Sequence, residues 1–168
     1  SSSRSTVLQS GRTVAQTFQY LSEQVRILRE QTNDEVSVTV DEVNRLTGEI
    51  ADLNHSIILT EKGGVQAGAA NDLRDRRDLL VRELSGPSGA SAFETQTGEM
   101  TVMVGSAFLV FGQQAFDLTT NQTVVGGLLV DTPVFANGSA SLSAPGGTLA
   151  GLLESRDTLL REIEQEID

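Results

Sequence analysis

Apolar and small residues recur along the first half of the chain at alternating steps of four and three, the heptad pattern of a helix that packs against other helices. Up to residue 28 these positions are Val7, Gly11, Val14, Phe18, Leu21, Val25 and Leu28. Beyond it they are Thr32, Val36, Thr39, Val43, Leu46, Ile50, Leu53 and Ile57. This heptad seam predicts one helix of roughly 56 residues, which would be about 84 Å long.

The only irregular step in the seam lies at Thr32, where two steps of four follow each other. Such a stutter locally unwinds a coiled coil without ending the helix. Beside it, VSVTV at 36–40 alternates apolar and polar residues as an exposed strand does. We predict helix because neither Gly nor Pro lies between Arg12 and Thr47, and because the seam keeps its phase on both sides. A turn at Thr32–Asp34, giving two helices, is the alternative.

Two shorter helices are predicted to pack on the long one. Gly63-Gly64 ends the long helix, Asn71 caps the second with Asp72 and Asp75 in its first turn, and Ser85-Gly86-Pro87 ends it. Thr148 caps the third. The residues expected to be buried against the seam are Leu73, Leu80, Leu84, Leu152, Leu160 and Ile163.

The composition changes between Ser88 and Ala144, where the only charged residues are four acids. SAFETQTGEMTVMV predicts a hairpin with its turn near Thr97-Gly98, and 108–111, 115–118 and 123–130 predict further short strands. The expected fold is α+β but mainly α: an elongated helical bundle on one long, stuttered helix with two shorter helices and a small antiparallel hairpin or meander. Its predicted parts are a helical rod (1–87), a β-rich appendage (88–144) and a helix returning to the rod (145–168).

One short motif occurs twice, as RDLLVREL at 77–84 and RDTLLREI at 156–163. The flanking residues do not correspond, so a structural repeat is not indicated. Read as helices, both copies turn leucines to one side and charges to the other, with i,i+4 pairs such as Arg74–Asp78 worth about 0.2–0.5 kcal/mol each. We interpret the motif as one helix-packing solution used twice, with its charges facing solvent.

Charge and composition exclude several classes of function. A net charge of −11 argues against binding to nucleic acid or to an anionic membrane surface. The absence of cysteine excludes disulfides and thiolate metal sites. The single histidine, His55, has no metal-binding partners nearby in the sequence, and no phosphate-binding glycine motif or nucleophile elbow is present. We predict no catalytic, cofactor or metal site, and therefore no enzyme.

Four stretches resemble the bacterial flagellar hook-associated protein 1 (FlgK) family, in the family's order. RSTVLQSGRTVAQTFQYLSEQVRILRE is similar to its entry helix, and DEVNRLTGEIADLNHSI to its D-x-V-N-x-L segment. NDLRDRRDLLVRELS resembles the family's N-D-L-L-D-Q-R-D stretch, and GGTLAGLLESRDTLL its G-G-x-L-G-G-L-L-x-x-R-D segment. Arg74, Arg76 and Ala150 depart from the usual Leu, Gln and Gly.

The resemblance implies a structural subunit of the bacterial flagellum without enzyme activity, in a ring that joins hook to filament. The implied partners are further copies of itself, the hook protein, neighbouring hook-associated and filament proteins, and an export chaperone. The implied location is extracellular, after export by the flagellar type III pathway. The chain starts and stops within helical patterns, so we expect a piece of a longer protein that lacks the polymerising termini.

An extracellular or periplasmic helical sensor or ligand-binding module is the alternative function, and it would predict a preformed pocket and a stable dimer. The flagellar interpretation instead predicts that the isolated chain is mainly monomeric. The charged outer faces of the shorter helices are then candidate subunit contacts, namely Arg74, Arg76, Asp78, Arg156 and Asp157.

Overall fold

The computed structural model describes residues 2–64, 67–125, 128–138, 142 and 146–167. Its backbone comprises helix α1 (Ser2–Lys62), helix α2 (Ala67–Ser88), strands β1 (Ser91–Glu94), β2 (Met100–Val104), β3 (Ala107–Phe111), β4 (Gln114–Ala115), β5 (Leu118–Val125) and β6 (Leu128–Phe135), and helix α3 (Gly147–Ile167). The predicted α+β, mainly α architecture is confirmed.

Helix α1 is continuous over 61 residues, as the heptad seam predicts. At the stutter, Val36 and Val40 are buried whereas Val38 is 67% exposed. Burial of residues four apart is the period of a helix, so the strand interpretation of VSVTV and the alternative turn at Thr32–Asp34 are both wrong. The hydroxyl of Thr39 donates to the main-chain oxygen of Glu35 at 2.7 Å. This hydrogen bond accommodates a β-branched residue inside the helix.

Helix α2 begins earlier and ends later than predicted. It already includes Ala67, so Asn71 is an interior residue and the predicted cap is wrong, as is the placement of acids in the first turn. The alanines before Asn71 favour helix strongly enough to extend it toward Gly64. At the other end the helix runs to Ser88 with Pro87 in its last turn, and Gly89, at φ +65°, donates to the oxygen of Ser85 at 2.9 Å.

The strands form two antiparallel sheets. Strands β1, β2, β3 and β4 pair in chain order, and β5 pairs with β6 in a separate two-stranded sheet. The hairpin predicted at Thr97-Gly98 is confirmed, with Gly98 at φ +82°. The single strand predicted at 123–130 is wrong, because β5 and β6 are two eight-residue strands in which Val125 pairs with Leu128. The strand predicted at 115–118 is divided between β4 and β5.

Helix α3 returns along α1. It begins at Gly147, one residue before the predicted cap Thr148. Leu149 is buried at its start and Leu152 packs against the core from a partly buried position. The side chains of Leu160 and Ile163, also predicted to be buried, lie outside the described part of the chain.

One hydrophobic core joins the second half of α1 to the other elements. Leu80 and Leu84 of α2 are buried in it, as predicted, and Leu73 packs against it. The same core includes strand residues such as Val102 and Val110. The core includes residues from all three predicted parts of the chain. The predicted division at residues 88 and 144 stays a prediction.

Candidate subunit-contact surface

The predicted contact residues of α2 lie where this helix passes the end of α1 and the β1–β2 hairpin. Arg74 is ion-paired with Glu61 of α1 and lies 3.6 Å from Glu94 of β1. Its hydrogen bond to Glu61 raises the pKa of the Arg74 guanidinium. Arg74 therefore already joins three elements of its own chain.

Two further predicted residues of α2 face solvent. The side chain of Arg76 is 67% exposed, and its Nη2 lies 3.8 Å from a carboxylate oxygen of Glu49. Asp78 is exposed, and its main-chain oxygen accepts a hydrogen bond from Arg82 Nε at 3.1 Å. These two side chains are accessible to a neighbouring molecule.

The predicted contact residues of α3 lie at a different level of the rod. Arg156 is only 5% exposed: its Nη1 donates to the main-chain oxygen of Asp131 at 2.5 Å and its Nε to Asp157 at 2.8 Å. It lines a shallow groove with Thr32 of α1, whereas Arg74 pairs with Glu61. Thr32 and Glu61 are 29 residues apart, so Arg156 and Arg74 are separated by about 44 Å along the helix. Arg76 lies beside Glu49, which is about 26 Å from the level of Thr32. The structure does not bring the five residues into one surface.

Sequence reasoning missed the most buried charged residue, Arg77. It is 0% exposed, and its Nη1 donates to Asn54 Oδ1 at 2.9 Å and to the oxygen of Gly98 at 2.7 Å. Its Nη2 lies 3.1 Å from Glu94 in an ion pair. Arg77 and Arg156 are the first arginines of the two copies of the repeated motif. The prediction that the motif's charges face solvent is therefore wrong for these two residues, because Arg77 is bonded to Asn54 and to a carbonyl of the β1–β2 turn, and Arg156 to a carbonyl of β6.

Two exposed groups of ion pairs lie on the surface of α1. Arg26 bonds Glu23 and Glu30, and Arg45 bonds Glu42 and Glu49, with N–O distances of 2.6–2.7 Å. Hydrogen bonds from the arginines lower the pKa values of Glu23 and Glu42. Stability from such pairs is present above the ordinary carboxyl range and is lost as pH falls, but exposed pairs contribute little.

Apolar side chains are exposed at several places in the described part of the chain, including the first half of α1 and the four-stranded sheet. The first half of α1 presents the heptad seam to solvent, with Phe18 58% exposed and Val7, Val14 and Leu21 also exposed. The shallow groove between α1 and α3, lined in part by Val25, Leu28 and Leu159, lies at the end of this exposed stretch.

The outer face of the four-stranded sheet is the second apolar surface. It presents Phe93, Phe108 and Phe111, which are all exposed. The rings of Phe108 and Phe111 lie 5.2 Å apart in a tilted arrangement. This face lies in the part of the chain that has no basic residue, between Ser88 and Ala144.

Across the residues that are described, no group of three or more His, Cys, Asp or Glu could hold a metal ion. His55 is exposed, as predicted, with Nδ1 2.6 Å from Gln113 Oε1. None of the three helices, so far as they are described, is long and apolar enough to cross a membrane.

Comparison with known proteins identifies the family. The family model for the "Flagellar hook-associated protein FlgK helical domain" matches residues 1–168. The "Flagellar hook-associated protein 1" of Bacillus subtilis is 32% identical over 112 residues, which cover 61% of this chain and 22% of that protein. Its Escherichia coli namesake is 35% identical over 104 residues, covering 61% of this chain and 18% of that protein.

A solved structure agrees with the match. The flagellar hook junction protein FlgK from Burkholderia pseudomallei has a TM-score of 0.65 and 28% sequence identity, over 82% of this chain and 25% of that one. The chain thus spans about a fifth of the length of the curated relatives that it matches. With a family model matching its whole length, the chain belongs to the FlgK helical-domain family of flagellar hook-associated proteins.

Proposed function

We propose that the protein to which this chain belongs is a structural subunit of the bacterial flagellum, which forms the junction ring between hook and filament and carries out no catalysis. The observation that carries the proposal is the match of the FlgK helical-domain model to residues 1–168. The same match favours this role over the alternative sensor or ligand-binding module.

The fold suits a mechanical role. A 61-residue helix is about 92 Å long at 1.5 Å per residue, and α2, α3 and two sheets brace its second half. A braced helix resists bending, which is what a connector between two rotating tubes needs. The chain in this account acts as a rod that lines up with copies of itself.

The partners in this proposal are further copies of the same protein, the hook protein, and neighbouring hook-associated or filament proteins. Export by the flagellar type III pathway, with a chaperone that binds a segment outside this chain, completes the proposal. Arg74, Arg76, Asp78, Arg156 and Asp157 stay candidate contacts. The exposed side chains of Arg76 and Asp78 are the ones best placed to meet a neighbour directly.

The chain has no cysteine, which makes a direct test of location simple. Asn71 is exposed on α2, and Asn71→Cys in the intact protein, made in its own bacterium, can be labelled on living cells with a membrane-impermeant fluorescent maleimide. We expect one focus per flagellum, at the base of the filament beyond the hook. Cells producing the unsubstituted protein are the control for other thiols. Labelling spread over the cell envelope would contradict the proposal and favour the sensor module.

A further inference from the structure

Asparagines on α1 pair with the main chain of the strands as if they were strand residues. Asn54 Nδ2 donates to the oxygen of Met100 at 2.8 Å, and the amide of Met100 donates to Asn54 Oδ1 at 2.9 Å. Ten residues earlier, Asn44 Nδ2 donates to the oxygen of Leu118 at 2.8 Å, and the amide of Leu118 donates to Asn44 Oδ1 at 2.8 Å. Met100 begins β2 and Leu118 begins β5, so each carboxamide holds both main-chain groups at the start of a strand.

A third pairing uses two side chains in place of one. The amide of Asp131, in β6, donates to Asn33 Oδ1 at 3.1 Å. The oxygen of the same residue accepts from Arg156 Nη1 at 2.5 Å. Helices α1 and α3 together therefore bond both main-chain groups of Asp131, as a single asparagine does for Met100 and for Leu118.

Arg77 fixes the orientation of the carboxamide at the Met100 level. Its Nη1 donates to Asn54 Oδ1, which therefore accepts from Arg77 and from the amide of Met100 together. Asn54 Nδ2 also donates to the oxygen of Gly112 at 2.6 Å. The buried amide of Asn54 thus has all of its polar atoms bonded, and a flipped amide would place a donor against the guanidinium.

The spacing of the three asparagines along α1 places these hydrogen bonds at three different axial positions. Asn33, Asn44 and Asn54 are eleven and ten residues apart, or about 16 and 15 Å along the axis. A strand that moved along α1 by one residue would break its bonds at that level and leave partly or fully buried groups unpaired, at a cost of about 1–3 kcal/mol for each group. Apolar contacts alone tolerate such a shift much better, since they have no direction.

We infer that Asn33, Asn44 and Asn54, completed by Arg77 and Arg156, form a three-level polar register that sets the axial position of the β strands on the long helix. The three levels attach β2, β5 and β6 separately.

Hydrogen exchange of single amides tests the inference on the 168-residue chain itself. Asn44→Leu keeps the size of the side chain and removes both bonds to Leu118. We expect the amide of Leu118 to exchange about tenfold faster or more, in line with the loss of a part-buried bond, while the amides of Met100 and Asp131 change much less. Asn71→Leu, at an exposed position of α2, is the matched control and should leave all three amides unchanged.

A second variant, Asn33→Ala, keeps the inference testable if Asn44→Leu fails to fold. Asn33 is only partly buried and Ala favours helix, so Asn33→Ala should fold and should accelerate exchange at Asp131 alone. Unchanged exchange at Asp131 would overturn the inference. So would a rise by one common factor at Met100, Leu118 and Asp131, because that pattern reports a loss of global stability and no separate levels of attachment.

Discussion

At the scale of single residues, Asn54 and Arg77 form the most demanding polar contact in the core. Both are 0% exposed, and between them they bond Met100 at the start of β2, Gly98 in the β1–β2 turn and Gly112 in the β3–β4 turn. A buried guanidinium is tolerated only when its donors are matched, because an uncompensated buried charge costs several kcal/mol. Nη1 of Arg77 is matched by Asn54 and by the oxygen of Gly98, whereas Nη2 has only the ion pair with Glu94 and Nε has no hydrogen-bond partner.

This chemistry predicts an order of effects for two substitutions. Asn54→Leu should lower the free energy of unfolding by about 3 kcal/mol or more, because it removes one hydrogen-bond acceptor of the buried Arg77 and the side-chain partner of both main-chain groups of Met100. Arg77→Met should cost less, because Asn54 Oδ1 keeps its bond from the amide of Met100 and the side chain of Glu94, 42% exposed, can be hydrated once the guanidinium is gone. Urea unfolding of both variants decides the order, and a larger loss for Arg77→Met would contradict this account of the contact.

Leu80 tests the predicted core face of α2. It is 7% exposed, so Leu80→Ala should cost about 2–5 kcal/mol through lost burial and the remaining cavity. Leu79, its neighbour, is 51% exposed, and Leu79→Ala is the matched control with an expected effect within about 0.5 kcal/mol. Equal losses for the two variants in denaturant melts would place α2 in a different orientation.

The apolar core residues were predictable from the sequence and the buried polar ones were not. Leu80 and Leu84 follow the helical period, which reports burial directly. Arg77 stands among Arg74, Arg76 and several aspartates, a context in which solvent exposure is the ordinary expectation. The available signal was the repeated motif: the same Arg-Asp step opens both copies, and in both the structure buries the arginine.

At the scale of elements, the other helices and the strands pack on α1, and the stutter is the segment at which the continuity of this helix can be tested. Thr39→Pro should cost about 3 kcal/mol or more, because proline removes a helical hydrogen bond and its ring clashes with the preceding turn. Thr39→Ala, which keeps the helix, is the control and should have a small effect by comparison. Thermal melts in which the two variants behave alike would mean that this segment is not helical.

The crossing of α2 and α3 depends on glycine. Gly147 has φ +79°, and a Cβ placed on it would lie 2.8 Å from the oxygen of Gly86. Gly147→Ala should therefore lower stability by at least about 1 kcal/mol, through backbone strain and the clash together. Gly11→Ala is the opposite case, with open space around its Cβ, and should stabilise α1 by up to about 1 kcal/mol. Denaturant melts should give opposite signs.

Elements with a long repeating pattern were predictable, and short ones were predicted with errors at their ends. The seam of α1 extends over many heptads, so one irregular step did not obscure it. The boundary between β5 and β6 lies inside TVVGGLLV, whose valines and leucines predict one strand. A capping residue is a stronger sequence signal than the alanines that extend α2, so the sequence predicts the start of this helix at Asn71.

At the scale of the whole molecule, two properties oppose each other in solution. The exposed seam of the first half of α1 favours association with another helix, whereas a net charge of −11 makes copies repel. We expect a chain that is mainly monomeric at micromolar concentration, with association rising as salt screens the charge. Sedimentation equilibrium over a wide range of concentration and salt measures this. A tight dimer at low salt would contradict it and would favour the sensor module.

The central claim is that the chain is a rod built on one unbroken helix, since both the polar register and the proposed role at a junction depend on it. Pulsed electron resonance between spin labels at Ser22→Cys and Asp52→Cys, both exposed and on either side of the stutter, measures this directly in a chain without other cysteines. Thirty helical residues predict a single narrow distance of about 45 Å. A clearly shorter distance, or a broad distribution, would mean that the helix breaks near Thr32–Asp34 and would contradict the account.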